Sequence, residues 1–174
     1  DNGRTGREKE LFDRMRKGAT PVTSLLPTAA YLEYFEPILA EKDLLFLAFS
    51  SQMSATINNI FEAREELLKR YPERKFIVVD TLSISYPQTL LILRAHDMYM
   101  QGEPMEAVAD WVTNNRLRAH AWLTVDDLVY LKRGGRVSAT SAIFGSMLDI
   151  KPILTLTKAG KLEAVGKVQG RKKA

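Results

Sequence analysis

"DLLFLAFSSQMSATINNIFEAREELLKRYPERKFIVVD", residues 43–80, carries the pattern that decides the fold. It opens on "DLLFLAF" (43–49), a continuous apolar run too short for a helix and suited to a strand buried on both faces. From about residue 54 to 71, Ile57, Ile60, Phe61, Leu67, Leu68 and Tyr71 recur at helical spacing. "KFIVVD" (75–80) is then a second buried strand. Strand, helix and strand in this order predict a βαβ unit whose two strands run parallel.

Toward the amino end, "REKELFDRMRKG" (7–18) reads as a short amphipathic helix with Leu11, Phe12 and Met15 on one face and Gly18 as its stop. "PTAAYLEYFEPILAE" (27–41) repeats the pattern through Tyr31, Phe35, Ile38 and Leu39, with Pro37 expected to bend or interrupt it. Toward the carboxyl end, "PQTLLILRAHDMYMQG" (87–102) and "EPMEAVADWVTNNR" (103–116) are two further helices, Pro104 lying near the start of the second. "HAWLTV" (120–125) is a third strand. The alternation predicts an α/β fold, a mainly parallel sheet with helices on both faces, here assigned to residues 1–149. After Ile150 the texture changes, because "KPILTLT" and "KLEAVGKV" flank "KAG" as in an antiparallel hairpin. Residues 150–174 are expected to begin a second, α+β subdomain.

Composition narrows the function. With 45% hydrophobic and 26% charged residues, the chain has the make-up of a soluble globular domain. It has no cysteine, which removes disulfides, thiolate nucleophiles and zinc–thiolate sites. The net charge of +4 is unevenly spread: residues 151–174 hold seven Lys or Arg and one acid, Glu163, while the first 150 residues are slightly acidic. That basic strip contains no aromatic residue for stacking on bases, so the reading is a solvated or partner-facing strip ending in Arg171, Lys172 and Lys173, with no nucleic acid. The apolar run "LLFLAF" from Leu44 is far shorter than a membrane span, and the expectation is a cytoplasmic protein with at most transient membrane contact.

Ligands of parallel sheets bind beyond the carboxyl ends of the strands. Those ends carry Ser50, Ser51 and Ser54 after the first strand, Asp80, Thr81, Ser83 and Ser85 after the second, and Asp126 and Asp127 after the third. Hydroxyls at helix starts serve equally as caps and as anion seats, and both readings stand for this set. The two acids are most simply a helix cap. No metal-ligand spacing, Walker loop or dinucleotide fingerprint occurs. A serine hydrolase or acyltransferase built on Ser51 or Ser54 is the enzymatic alternative, but His96 falls within a helical pattern and His120 at a strand start. A regulatory interaction module that uses the basic strip is a third class.

"TVDDLVYLKRGGRVSATSAIFGSMLDIKPIL" (124–154), continuing through "GKLEAVGKVQGRKKA" (160–174), closely resembles the DegV family of bacterial fatty-acid-binding proteins, several of which serve as acyl-carrier subunits of a fatty-acid kinase. "TSLLPTAAYLEYFEPIL" (23–39) resembles the family's Thr-Ser motif and following helix, "SSQMSAT" (50–56) its Ser-Ser motif, and "FIVVDTLSIS" (76–85) also fits. The family pattern differs in having Gly at Gln52 and Ala55, Gln-Pro at Leu25 and Leu26, and two glycines near Pro87 and Thr89. The resemblance implies a non-enzymatic carrier of a long-chain fatty acid with no cofactor. It implies that the carboxylate is held by Thr23 and Ser51, with Ser24 and Ser50 alongside, while Arg133 or Arg136 faces the head group or a phosphoryl group on it. A separate kinase subunit would be the partner, and "AIFGSML" (142–148) would pack in the core or line an acyl tunnel. It further implies that this chain corresponds to the middle of a longer protein, the family's first strand and a head-group histidine lying outside it.

Overall fold

The computed structural model describes residues 6–126, 128–137 and 150–173. In chain order the elements are α1 (Glu8–Arg16), α2 (Thr28–Leu39), β1 (Leu44–Ala48), α3 (Thr56–Arg70), β2 (Phe76–Asp80), α4 (Ser85–Met100), α5 (Met105–Asn115), β3 (Trp122–Thr124), α6 (Val129–Arg133), β4 (Ile150–Leu156) and β5 (Leu162–Gln169). Single 3-10 turns occur at Arg116–Arg118 and Arg171–Lys173.

The βαβ unit is as the sequence predicts. β1 and β2 pair in parallel from Leu44 opposite Phe76 to Ala48 opposite Asp80. Because side chains alternate along a strand, each strand supplies two layers. Leu44, Phe46, Phe76 and Val78 face α2 and α3, meeting Phe35, Leu39, Ile60 and Leu67. Leu45, Leu47, Ile77 and Val79 face α4 and α5, meeting Leu91, Met98, Val108 and Val112. Helices therefore cover both faces of the parallel strands, and the continuous apolar runs follow from that. Phe35 lies edge-to-face with both Phe46 (5.5 Å) and Phe76 (5.1 Å), geometry that adds about 0.5–1.5 kcal/mol per pair to the area buried. Pro37 sits inside α2 but two residues from its end, and it does not interrupt the helix.

Two expectations need correction. The third strand does not extend the parallel pair: β3 runs antiparallel to β4, Trp122 opposite Thr155 and Thr124 opposite Ile153, and β4 continues into the β4–β5 hairpin. The physical reason lies in its faces. Trp122 is 69% exposed, so β3 has one wet face, while Leu123 packs into the cluster of Leu128, Val137, Leu154, Leu162 and Ala164. Periodicity reports a strand and its faces but not its neighbour. Asp126 does not cap α6 either. α6 starts at Val129, with Leu128 in the cap position and no side-chain cap, and Asp126 instead pairs with Lys151 (3.7 Å) and Arg171 (3.1 Å). Asp127 and residues 142–148 lie outside the described residues.

Met53, in the loop after β1, packs against the same cluster as Val137 and Leu162. This contact joins the loop at the carboxyl end of the parallel strands to the second sheet.

Candidate ligand-binding site

The chain leaves β1 and β2 through two loops tied together by polar contacts. Thr81 donates its hydroxyl to the Ala48 carbonyl (2.7 Å), and the Ser50 amide donates to the Ser83 carbonyl (3.0 Å). One carboxylate oxygen of Asp80, Oδ1, accepts from the amides of Leu82 (2.9 Å) and Ser51 (3.3 Å). The first is an Asx turn, which holds Leu82 at a φ of 49°, unusual for a bulky residue. Ser50 is fully buried; its hydroxyl donates to the Gly160 carbonyl (2.7 Å) and accepts from the Gln52 amide (3.3 Å). Ser51, half-buried, receives only a long contact from the Gln52 side chain (3.5 Å), and its own proton has no acceptor among the described residues. Ser54 is engaged locally, paired with the Thr56 hydroxyl (2.8 Å) and accepting the Thr56 amide (3.2 Å).

The basic turn is a helix stop. The Gly135 amide donates to the Lys132 carbonyl (3.0 Å) and the Arg136 amide to the Leu131 carbonyl (3.1 Å), the paired bonds of a Schellman motif, with Gly135 at a φ of 69°. The "GG" pair thus ends α6 and turns the chain so that buried Val137 bridges to Leu162. The two flanking arginines diverge. Arg136 donates to the Thr23 hydroxyl (3.3 Å) and to the Gly134 carbonyl. Arg133 lies over the Tyr130 ring, 5.9 Å from its centroid.

The sequence-predicted residues therefore fall into three groups. Thr23 and Arg136 meet on an exposed rim, with Ser24 exposed next to Thr23. Ser50 and Ser51 sit at the strand ends, and Met53 of their loop shares an apolar cluster with Val137, the neighbour of Arg136. Arg171 is held by Asp126, while Lys172 and Lys173 are exposed in the final 3-10 turn. His96 and His120 are both exposed, and among the described residues neither is hydrogen-bonded to Ser51 or Ser54. No group of three or more His, Asp or Glu suited to a metal ion occurs among the described residues.

Sequence reasoning placed Asp80 at a strand end without giving it a role, and it missed Gly160. Asp80 binds the Ser51 loop, and its Asx turn in "DTLS" is a local signal that was available. Gly160 closes on Ser50 across 110 positions in sequence, and nothing local announces that contact.

A family profile described as "Uncharacterised protein, DegV family" matches residues 1–174. A DegV domain-containing protein of Clostridium perfringens is 40% identical over 167 residues, covering 95% of this chain and 57% of the relative. Among solved structures, a fatty-acid-binding DegV family protein from Thermus thermophilus superposes with a TM-score of 0.82 at 35% identity, covering 95% of this chain and 58% of that one. The Streptococcus pneumoniae fatty acid kinase (Fak) B3 protein loaded with linoleic acid has a TM-score of 0.81 at 23% identity, with 95% and 58% covered, a likeness of fold. This chain thus spans somewhat under three-fifths of the length of these proteins. By profile, by identity and by fold, the chain belongs to the DegV family.

Proposed function

We propose that this chain forms part of a protein that binds a long-chain fatty acid and presents its carboxylate to a separate fatty-acid kinase. The observation that carries the reading is the meeting of Arg136 with Thr23, two residues 113 positions apart. A guanidinium beside a hydroxyl is suited to an anionic oxygen, because both give protons and the arginine keeps its charge at all physiological pH. Ser51, with its proton uncommitted, supplies a third donor from the strand ends. Arg133 and Ser24 flank this group in sequence and belong to the same proposed head-group region.

The likeness to the Thermus protein supports a fatty acid as the ligand, and the likeness to the Fak B3 protein supports a kinase as the partner. Burial of an acyl tail is worth about 0.8 kcal/mol per methylene, so the tail supplies affinity while the polar head fixes orientation. The kinase, not this chain, would bring ATP. Arg171, Lys172 and Lys173 then form a docking strip for an acidic kinase surface. Among the described residues no helix is long and apolar enough to cross a membrane, in keeping with a carrier whose membrane contact is transient.

Organic extraction of the natural full-length polypeptide, followed by lipid mass spectrometry, tests the reading. A co-purified, non-covalent fatty acid is the expected result. A fatty acyl group esterified to Ser51 or Ser54 would instead mark a serine hydrolase or acyltransferase.

A further inference from the structure

We propose that Ser50, Asp80 and Gly160 are positioning residues, a latch through which the second sheet sets the pose of Ser51, and that Ser50 itself does not bind the ligand. The inference rests on the reading of Ser51 as a carboxylate donor. Among the described residues the buried polar side chains are Ser50, Thr81 and Ser83, and all three lie where β1 and β2 end. Burying hydroxyls costs stability unless each is bonded, so their convergence marks a place where geometry is held.

A carboxylate only accepts hydrogen bonds, and a serine hydroxyl has one proton to give. Ser50 has given its proton to the Gly160 carbonyl at 2.7 Å, and its oxygen already takes the Gln52 amide. Ser51 is the adjacent hydroxyl with a proton left, and what fixes its backbone is Asp80, whose Oδ1 spans the Ser51 and Leu82 amides. Leu82 in turn forms the floor under the hairpin tip. A Cβ on Gly160 would stand 2.5 Å from the Ser50 hydroxyl and 3.0 Å from the Leu82 Cβ, and Gly160 has a φ of 80°. Only glycine lets the hairpin carbonyl reach Ser50. The chain of contacts from β5 through Gly160, Ser50 and the Leu82 turn to Asp80 and Ser51 is continuous.

The test measures displacement of a fluorescent fatty acid from the natural full-length polypeptide, in Asp80→Ala, Asp80→Asn, Ser51→Ala and the Asp80→Ala/Ser51→Ala pair. Asparagine keeps an oxygen for the two amides and places its NH2 where Oδ2, which takes no hydrogen bond in the described structure, now lies. We expect Asp80→Ala to weaken binding about tenfold, Asp80→Asn to restore most of it, and the double variant to be no weaker than Ser51→Ala alone. Full additivity, or equal loss in the alanine and asparagine variants, overturns the latch. Should Asp80→Ala fail to fold, the same cycle with Ser50→Ala decides, since a residue acting through Ser51 is non-additive with it and a direct ligand group is additive. If Ser51→Ala leaves affinity unchanged, Ser51 is no part of the carboxylate seat, and the latch is then read from the ligand-free Ser51 amide. Its proton resonance should move and its exchange quicken in Asp80→Ala but not in Asp80→Asn; an unmoved resonance in Asp80→Ala overturns the latch.

Discussion

The two ends of the parallel strands are closed in different ways. At the amino ends the closing groups are charged and wet: Asp43 accepts the Lys75 amide (3.0 Å), Lys75 pairs with Glu106, and Arg70 bridges Glu36 and Glu66, each at 3.0 Å. At the carboxyl ends the closing side chains are short and mostly buried: Ser50, Thr81 and Ser83 are buried and the Ser50 and Thr81 hydroxyls bond to backbone carbonyls, beside the half-buried Asp80 carboxylate that takes the Ser51 and Leu82 amides. Exposed pairs contribute about 0–1 kcal/mol, are screened by salt and tolerate movement of long side chains. A buried network of short side chains has no such slack, and every member depends on the next. The comparison teaches which end is built to hold a pose, and that end is where parallel sheets receive ligands.

The largest effect should come from a single methyl at the rigid end. Gly160→Ala places a Cβ 2.5 Å from the Ser50 hydroxyl at a left-handed φ. Strain and overpacking together should cost about 2–4 kcal/mol. Gly135 is the matched control, also left-handed at 69° but with nothing among the described residues within 4 Å of an added Cβ. Gly135→Ala should cost only the backbone penalty, about 1–2 kcal/mol. Urea unfolding midpoints of both variants, compared at similar m-values, decide it. Equal losses would mean that the hairpin tip yields and that the carboxyl ends have slack after all.

The parts of this architecture that could be read from sequence are those encoded locally. The run of Leu44 to Ala48, the helical spacing of Ile57, Ile60 and Leu67, and the run of Phe76 to Val79 specify the βαβ unit and the burial of both strand faces, while the assignment of each face to its helices came from the structure. The partner of β3 was hidden, because Trp122 to Thr124 is too short to declare a neighbour and the same alternation suits either sheet. In the site, Thr23, Ser51 and Arg136 were reached through likeness to a family motif, and only coordinates bring Thr23 and Arg136 together. Ser50 illustrates the limit. Two adjacent serines look equivalent in sequence, and a contact with Gly160 separates their roles.

Next in size are the proposed ligand contacts. Thr23→Val and Ser51→Ala should each weaken fatty-acid binding by about 1.5–3 kcal/mol, the loss expected for a hydrogen bond to a charged group, with folding retained. Displacement of a fluorescent fatty acid provides the measurement. Unchanged affinity in both variants would remove these residues from the head-group site and leave the strand ends as structure alone.

A smaller and salt-dependent effect should separate the two basic groups. Arg133→Ala with Arg136→Ala should impair fatty-acid affinity or phosphoryl transfer at every salt concentration, because the proposed role is direct contact. Alanine at Arg171, Lys172 and Lys173 should leave fatty-acid affinity intact, and should slow kinase-coupled phosphorylation in low salt more than in high salt, because docking is steered by charge. Loss of fatty-acid affinity in the tail variant, with salt-sensitive coupling kept, would reverse the assignment.

The smallest effect belongs to the amino ends and tests the comparison through its dependence on pH. A hydrogen bond from Lys75 holds the Glu106 carboxyl below its ordinary 4.5, and the same contact pushes the Lys75 ammonium above 10.5. For Glu106 the unfolded chain takes up a proton at higher pH than the folded one. Its contribution is therefore complete above the ordinary carboxylate value and is lost as pH falls through the lowered folded value. For Lys75 the sign is reversed, with the contribution complete below the ordinary value and lost as pH rises through the raised one. Both groups are exposed, so the change in Tm should be small and should shrink further in salt. Glu106→Gln should flatten the fall of Tm on acidification from about pH 7 to pH 3 relative to the parent protein. Ser50→Ala, at the other end, removes a hydroxyl that does not titrate, and should lower Tm by the same amount across that range. A pH-dependent penalty for Ser50→Ala would show that the Ser50 network is coupled to a titrating group, and a Glu106→Gln curve parallel to the parent would show that the Lys75 pair contributes nothing to the amino ends.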